Sequence, residues 1–390
     1  MTERGAHSSP LAVALGLALT AGLVVAWSAR SWRVAVAITS IALVAVLWAV
    51  TARTIRLPLQ TIPVALIGAW GFLQLFLRAS AVPHLTLRSG VIWAMSAIAF
   101  VLGSQIAQGR RSRRSFLNFM LWVSTGLAVL AMLQTYTSPG RELWLFPADD
   151  SVMGTFFYKN QFAAFMEIAA PIALWQIVRE RVALGGICYA VIFAATLTSA
   201  SRAGVTLVAA ELIVFLALMV FQHRLPLKSA ASVIAILVLL VAGASMVAGT
   251  EQTLTRFQDP NIYGVRRPLV DSTLRMIAER PWMGSGLGTW RAVYPRFATF
   301  DLAVIANEAH NDWGQWAAEG GIPFFLLVAI LVVWLGKASV QSVWGLGVPV
   351  VLLHAYVDYP LREPALAFLW FAMAGALTQF GHGDSSAGAE

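Results

Sequence analysis

The residues best suited to chemistry lie in the segment 249–321, the long hydrophilic interruption of an otherwise apolar chain. Arg266 and Arg267 stand side by side there, and His310 follows near the far end. Two guanidinium groups before a helix are repelled by the positive end of the helix dipole, and a bound anion relieves that repulsion. Phosphate matches the planar guanidinium group. The arginine pair therefore predicts a phosphate site, with pairing to Asp259 or to lipid headgroups as the structural alternative.

His310 is the candidate general base. Asn307 is a good N-cap residue, which predicts a short helix after it with His310 in the first turn. The helix dipole disfavours a positive charge there, so we expect a neutral imidazole that can accept a proton near pH 7. A structural histidine is the alternative, and His84 and His354 are its competitors on the same side of the membrane.

Three further polar residues are candidate ligands. Arg202 lies in the tight turn 198–204 between two apolar runs. An ionisable side chain at the membrane surface is a functional hypothesis by default, and snorkelling toward the interface is the alternative. Asn160, at the start of an apolar run, is suited to capping a helix or binding a sugar. Asn311, next to His310, is a second possible substrate contact.

Two local structures are predicted inside the hydrophilic segment. The pattern of residues 268–280, bounded by prolines, predicts an amphipathic helix. Its apolar face would comprise Leu269, Thr273, Leu274 and Ile277. The run Gly284–Gly288 predicts a tight backbone bend rather than a nucleotide loop, since no strand precedes it and no Lys-Ser/Thr follows.

The elements that must position these residues are membrane spans. The chain has 390 residues, of which 58% are hydrophobic and 12% charged, and its mean hydropathy is +0.72. Soluble proteins carry roughly 25% charged residues. About twelve apolar runs reach or nearly reach across a hydrocarbon core of about 30 Å. They are 11–29, 34–50, 58–77, 90–107, 116–136, 161–178, 182–198, 203–221, 230–248, 322–336, 343–356 and 365–380. We predict an all-α polytopic membrane protein with about 12 transmembrane helices and one large outer loop containing short helices.

The basic block 110–114 predicts the orientation, because short cytoplasmic loops are rich in arginine and lysine. Alternation from that block puts both termini in the cytoplasm and the segment 249–321 outside. The basic residues behind the net charge of +8 are then explained by the membrane orientation and by the outer site. Nucleic acid is therefore not a predicted partner. The single cysteine, Cys188, excludes an internal disulfide and a cysteine metal cluster.

The chain shows no internal repeat, and we divide it into four parts. Residues 1–148 hold the first five spans, and 149–336 form the core that includes the outer loop. Residues 337–380 hold the C-terminal spans, and 381–390 are a small polar tail that we expect to be disordered.

Four signatures between about residues 150 and 335 resemble the O-antigen ligase and O-antigen polymerase family of bacterial membrane glycosyltransferases. They are Gly154–Asn160 before a span with Pro171; Thr198–Gly204; Arg266 followed by Pro281–Gly288; and His310–Asp312 with Glu319 and Gly321 downstream. The N-terminal third is similar to the family only in its hydropathy pattern.

The resemblance implies a twelve-span, GT-C-like fold in the bacterial inner membrane, with cytoplasmic termini and a periplasmic loop and active site. It implies transfer of a glycan from undecaprenyl diphosphate to lipid A-core, in ligases, or to another lipid-linked glycan, in polymerases, without a metal or other cofactor. Matched residue by residue to this sequence, the resemblance implies that His310 is catalytic and that Arg202 and Arg266 bind the diphosphate. Arg267 departs from the family pattern, which leaves the choice between Arg266 and Arg267 open.

Two other classes of protein remain as alternatives. A transporter or flippase for lipid-linked sugars would also place arginines outside, but such proteins usually show repeat symmetry and a charged midplane site, which this sequence does not. A non-catalytic membrane scaffold would leave His310 and the arginines replaceable. Ligase and polymerase are not distinguished by the sequence, nor are the sugar, the linkage, the acceptor and the oligomeric state.

Overall fold

The structure, a computed structural model, describes residues 8–28, 31–52, 54–147, 152–222, 266–299 and 306–378, with isolated positions between 223 and 265. Its described part is almost entirely helical. The α-helices are α1 (Ser8–Val25), α2 (Trp32–Thr51), α3 (Thr61–Phe76), α4 (Pro83–Ala107), α5 (Arg110–Thr137), α6 (Lys159–Val178), α7 (Val182–Thr198), α8 (Arg202–Phe221), α9 (Arg266–Glu279), α10 (Trp290–Val293), α11 (Asp312–Gln341), α12 (Gly347–Val357) and α13 (Pro364–Leu377). Strands β1 (Arg141–Glu142) and β2 (Phe146–Pro147) form one small antiparallel pair.

The helices follow the apolar runs of the sequence. Six of the described helices, α2, α4, α5, α6, α8 and α11, are long and apolar enough to cross a membrane. The other apolar helices are shorter and comprise Pro10–Val25, α3, α7, Val343–Val357 and α13. Together they coincide with eleven of the predicted runs, and the run 230–248 is described only at isolated positions. The all-α, multi-pass class is confirmed, whereas the count of twelve spans stays a prediction.

The C-terminal helix α13 lies in the middle of the protein. Every residue from Pro364 to Leu377 is buried. It packs along α4 so closely that a Cβ on Gly103 would collide with the carbonyl of Ala372, and one on Gly375 with the carbonyl of Phe100. Small residues permit this approach, which is the usual way for membrane helices to gain packing contacts. The polar side chains at the start of α13 are therefore held by a rigid element.

Among the described helices, α2, α4, α6, α8, α11 and α13 begin at the same end of the bundle. Arg33, at the start of α2, pairs with Glu363 before α13, with 2.7 Å between Nη1 and Oε2. Arg88, at the start of α4, lines a cavity together with Arg33. The starts of α6, α8 and α11 join them through the contacts described below. The N-terminal ends of these helices therefore form the face of the molecule that carries the polar clusters.

The predicted helix at 268–280 is confirmed, but its predicted buried face is partly wrong. The helix begins at Arg266 and buries Leu269, Ser272, Thr273 and Met276. Leu274 is 57% exposed. The buried side is set by packing against α11 rather than by the most apolar stripe, so small polar side chains replace leucine on it.

The helix predicted after Asn307 begins later, at Asp312. The Asn311 side chain caps it by accepting a hydrogen bond from the backbone N–H of Gly314 at 2.8 Å. Since Asn311 takes the cap position, His310 lies before the helix and not in its first turn, which corrects the prediction. The helix is kinked at Gly321, which has φ 80° and ψ 171°. The helix then continues to Gln341, across the predicted boundary at 336.

Candidate functional site

The centre of the site is the carboxylate of Asp358, which directly follows α12. Its side chain is only 2% exposed. The oxygen Oδ2 accepts a hydrogen bond from Nη2 of Arg266 at 3.0 Å and one from the Tyr158 hydroxyl at 3.3 Å. The side-chain amide of Asn160 also donates to Oδ2 and, at 2.8 Å, to the Tyr158 oxygen. One buried carboxylate thus binds Arg266 from α9, Asn160 from α6 and Tyr158, which directly precedes α6.

The second oxygen of Asp358 faces His310. Oδ1 accepts a hydrogen bond from the backbone N–H of Tyr359 at 3.0 Å and lies 3.3 Å from Nδ1 of His310, which is an ion-pair distance. Nδ1 of His310 makes no hydrogen bond within the described residues, so its contact with Asp358 is electrostatic. The His310 ring stands edge-on to Tyr359 at 4.8 Å and to Tyr158 at 6.4 Å. Its side chain is 29% exposed, so the ring is held by its neighbours and still open to a ligand.

The backbone of His310 is in the left-handed region, with φ 52°. This conformation costs a residue with a side chain about 1–2 kcal/mol. A strained backbone of this kind is retained only where surrounding contacts hold it in place, and such residues cluster at functional sites. The turn is what points the imidazole at Asp358, because Asn311 immediately begins the cap of α11.

The electrostatics of the site keep Asp358 charged and its tyrosine neighbours neutral. Burial would raise the pKa of Asp358, but His310 and Arg266 outweigh burial, and the pKa lies below its usual value. Burial, reinforced by Asp358, raises the pKa of Tyr158 far above its usual value. Burial and the neighbouring Tyr158 do the same to the pKa of Tyr359. Both phenols therefore keep their protons, and Tyr158 remains a donor to the carboxylate.

A second polar cluster surrounds Arg362, four residues after Asp358. Its Nε lies 3.2 Å from Oδ1 of Asp312 and 3.8 Å from Oε2 of Glu308, and its Nη1 lies 2.9 Å from Oε2 of Glu319. Burial would lower the pKa of Arg362, but these three acids outweigh burial and raise it. Burial raises the pKa of Glu308, with Arg362 opposing. This cluster ties the segment 358–362 to the start of α11.

The predicted glycine bend is confirmed, and it holds Glu319. Gly284, Gly286 and Gly288 all have positive φ, at 63°, 108° and 76°. The backbone N–H groups of Gly288 and Trp290 donate to the Glu319 carboxylate at 2.9 and 3.0 Å. Oriented N–H groups of this kind form anion-binding concavities. The anion bound here is the protein's own carboxylate.

The structure brings several of the predicted residues together. Arg266, His310 and Asn160 meet at Asp358, and the predicted partner Asp259 lies outside the described residues. Arg267 is exposed next to this group. Asn311 caps α11.

Arg202 is the first residue of α8. Gly204, on the same turn, packs so tightly on Ala163 of α6 that an added Cβ would lie 2.5 Å from the Ala163 Cβ. The first turns of α6 and α8 are therefore neighbours, and Arg202 begins α8 at the end of the bundle where Asn160 begins α6. A contact between Arg202 and a substrate diphosphate stays a prediction.

No group of three or more His, Cys, Asp and Glu side chains arranged to hold a metal ion occurs in the part of the chain that the structure describes. Metal-independent chemistry stays a prediction.

Asp358, Tyr158, Tyr359 and Arg362 were not predicted as site residues. The available signal was the polar end of the run 343–356, where His354 and Asp358 weaken an otherwise apolar span. Charged residues at such a position are costly in a membrane and are usually functional.

One comparison with known proteins found a related family. Residues 187–329 match the family model described as O-antigen ligase. No curated protein matched the chain. The matched segment contains Arg202, Arg266 and His310, whereas Asn160 and Asp358 lie on either side of it. The resemblance to the O-antigen ligase and polymerase family is therefore confirmed, and it rests on residues 187–329.

Proposed function

We propose that the protein transfers a glycan from undecaprenyl diphosphate to a sugar hydroxyl of an acceptor, at the periplasmic face of the bacterial inner membrane. The acceptor is lipid A-core in a ligase or a second lipid-linked glycan in a polymerase. One observation carries the proposal: the Asp358 carboxylate joins a cationic guanidinium group and an imidazole at the end of a bundle of apolar helices.

His310 is the proposed base. Because its Nδ1 faces Asp358, Nε2 points to the opposite side of the ring and takes the proton of the acceptor hydroxyl. Asp358 stays ionised and stabilises the positive charge that the ring acquires, as the carboxylate of a catalytic triad does. The acceptor oxygen forms its bond to the anomeric carbon while the bond from that carbon to the diphosphate oxygen breaks. In-line attack inverts the anomeric centre.

Arginines are the proposed stabilisers of the leaving diphosphate. Arg266 is held to Asp358 through Nη2, and its side chain remains 27% exposed, so further N–H donors are available. Arg202 and Arg267 are the other candidates. Guanidinium groups aimed at developing phosphate charge supply the stabilisation that a divalent cation supplies in other enzymes. The proposed reaction therefore requires neither a metal nor another cofactor.

The position of the site suits an amphiphilic donor. The polyprenyl chain lies among membrane lipids along the apolar helices, while the diphosphate reaches the starts of α6, α8 and α9. This arrangement keeps the hydrocarbon out of water and brings only the reacting groups to the polar end of the bundle.

Reconstitution tests the proposal. The purified protein is incubated with an undecaprenyl diphosphate-linked glycan in EDTA without ATP, with lipid A-core in one reaction and lipid-linked repeat units in another. We expect a larger glycolipid in one of the two, with the anomeric configuration inverted by NMR. Movement of the lipid-linked glycan across a vesicle membrane, without a covalent product, would instead support the transporter alternative.

A further inference from the structure

A cavity of about 250 Å³ lies next to the segment that carries Asp358. It is bounded by the starts of α2, α4 and α13 and by Gly288 of the glycine bend. Cavities for drug-sized ligands measure roughly 300–1,000 Å³. The occupant of this cavity is therefore a smaller group, of about the size of one sugar ring.

The polar part of the cavity wall offers both donors and acceptors. Arg88 is exposed, and it has no hydrogen-bond or ion-pair partner within the described residues. Arg362 also lines the cavity, with its Nε held by Asp312 and its Nη1 by Glu319. Glu308 contributes a carboxylate, and Ser89 a hydroxyl. Because no described residue accepts a hydrogen bond from Arg88, a ligand that does so gains a charge-assisted hydrogen bond.

The charges around the cavity favour a hydroxyl-bearing ligand over an anion. An anion would gain from Arg88, but Arg33 is already neutralised by Glu363, and the anion would also meet Glu308 and the acids Asp312 and Glu319 around Arg362. A hydroxyl group both donates and accepts, so it satisfies arginine and glutamate together. The apolar part of the wall includes Trp93 and Phe371, whose surfaces suit the C–H faces of a sugar ring.

Short stretches of chain link the cavity wall to the proposed base and to its carboxylate partner. Glu308 stands two residues before His310, and Arg362 stands four residues after Asp358. We infer that this cavity is the acceptor subsite and holds a neutral, hydroxyl-bearing sugar ring of the acceptor glycan, so that a hydroxyl at its edge reaches His310. The inference rests on the proposed function, and it adds the chemical class of the bound group and the residues that hold it.

Substitutions at Arg88 test the subsite in the transfer reaction, with lipid A-core and lipid-linked repeat units as acceptors. Arg88→Ala should raise the KM for the acceptor at least about tenfold, the size expected for a lost hydrogen bond to a charged group. The kcat and the KM for the donor should stay close to wild type. Arg88→Gln, which keeps a donor without the charge, should raise the acceptor KM less. Arg275→Ala, at an exposed arginine that does not line the cavity, is the control.

Each outcome separates the two proposals. An acceptor KM that is unchanged in Arg88→Ala, in a protein that forms product, would overturn the subsite alone. Equal losses in Arg88→Gln and Arg88→Ala would overturn the neutral sugar in favour of an anionic group. A wild-type protein that makes no product but binds radiolabelled acceptor glycolipid, with affinity lost in Arg88→Ala, would support the subsite and contradict the proposed transfer reaction.

Discussion

A carboxylate buried as deeply as Asp358 is stable only because its charge is compensated. Removing an ion from water costs several kcal/mol unless a partner and hydrogen bonds replace the lost solvation. Arg266 supplies the opposite charge, and Tyr158 and Asn160 supply neutral donors. The charges of Asp358 and Arg266 then cancel. When His310 takes a proton, the net charge of the three side chains becomes +1. A diphosphate next to Arg266 would compensate that charge, so donor binding and proton transfer favour each other.

Replacing His310 by asparagine should remove the base and keep the fold. Asparagine tolerates the left-handed backbone better than most residues, so the turn at φ 52° is preserved. We expect kcat to fall about a hundredfold or more, the usual contribution of a general base. The transfer assay measures the loss, and the melting temperature in detergent should stay near that of wild type. Retention of most of the activity in a folded variant would show that another group accepts the proton.

The neighbouring arginines provide a matched pair of variants. Arg266 is held against Asp358, whereas Arg267 is exposed. Arg266→Gln should lower kcat roughly a hundredfold, as expected for a lost donor to a developing negative charge. Arg267→Gln should leave kcat close to wild type. Side-by-side transfer assays of the two variants give the answer, and the reverse order of effects would assign the diphosphate contact to Arg267.

At the scale of elements, two polar cross-links join α6 to α12. Asn160 meets Asp358 at the polar end of the helices. Deeper in the bundle, Oε1 of Glu167 lies 2.6 Å from Nδ1 of His354, and both side chains are fully buried. Asn160 and Glu167 are seven residues apart on one face of α6, and Asp358 directly follows α12, four residues after His354. The deeper pair therefore fixes the alignment that presents Asp358 to Asn160.

Breaking the deeper cross-link should destabilise the protein. His354→Ala leaves Glu167 buried without its partner, which should cost about 3–5 kcal/mol. Replacing both residues by leucine removes the uncompensated group and should recover most of that loss. Chemical denaturation in detergent measures both variants. If the double variant is as unstable as His354→Ala, the cost comes from lost packing rather than from an unpaired group.

The sequence predicted the apolar helices well because the membrane acts on each apolar run separately. The described helices coincide with the predicted runs, and α7 has the predicted bounds at both ends. Predictions from the sequence were wrong where two nearby residues are equally suited to the same structural position. Asn307 and Asn311 are both good caps, and only the tertiary contacts select Asn311, which moves His310 out of the helix. The buried face of α9 was likewise decided by its packing against α11.

At the scale of the whole molecule, the site depends on contacts that no local pattern predicts. Asn160 and Asp358 are separated by 198 residues in the sequence. The sequence made His310 and Arg266 candidates because cationic and imidazole groups outside the apolar runs are conspicuous. It did not identify Asp358, because a carboxylate at the end of an apolar run has the same sequence pattern whether it caps a helix, faces lipid or binds an arginine.

The common end of α2, α4, α6, α8, α11 and α13 must face the periplasm if the donor is presented there. This orientation is testable with cysteine variants, because Cys188 is buried and gives a low background. Arg291→Cys, at an exposed position of α10, should react with a membrane-impermeant maleimide in intact cells. Arg111→Cys, at an exposed position at the start of α5 inside the basic block, should react only after permeabilisation. The opposite labelling pattern would put Asp358, Arg266 and His310 on the cytoplasmic side, where the proposed transfer to a periplasmic acceptor could not occur.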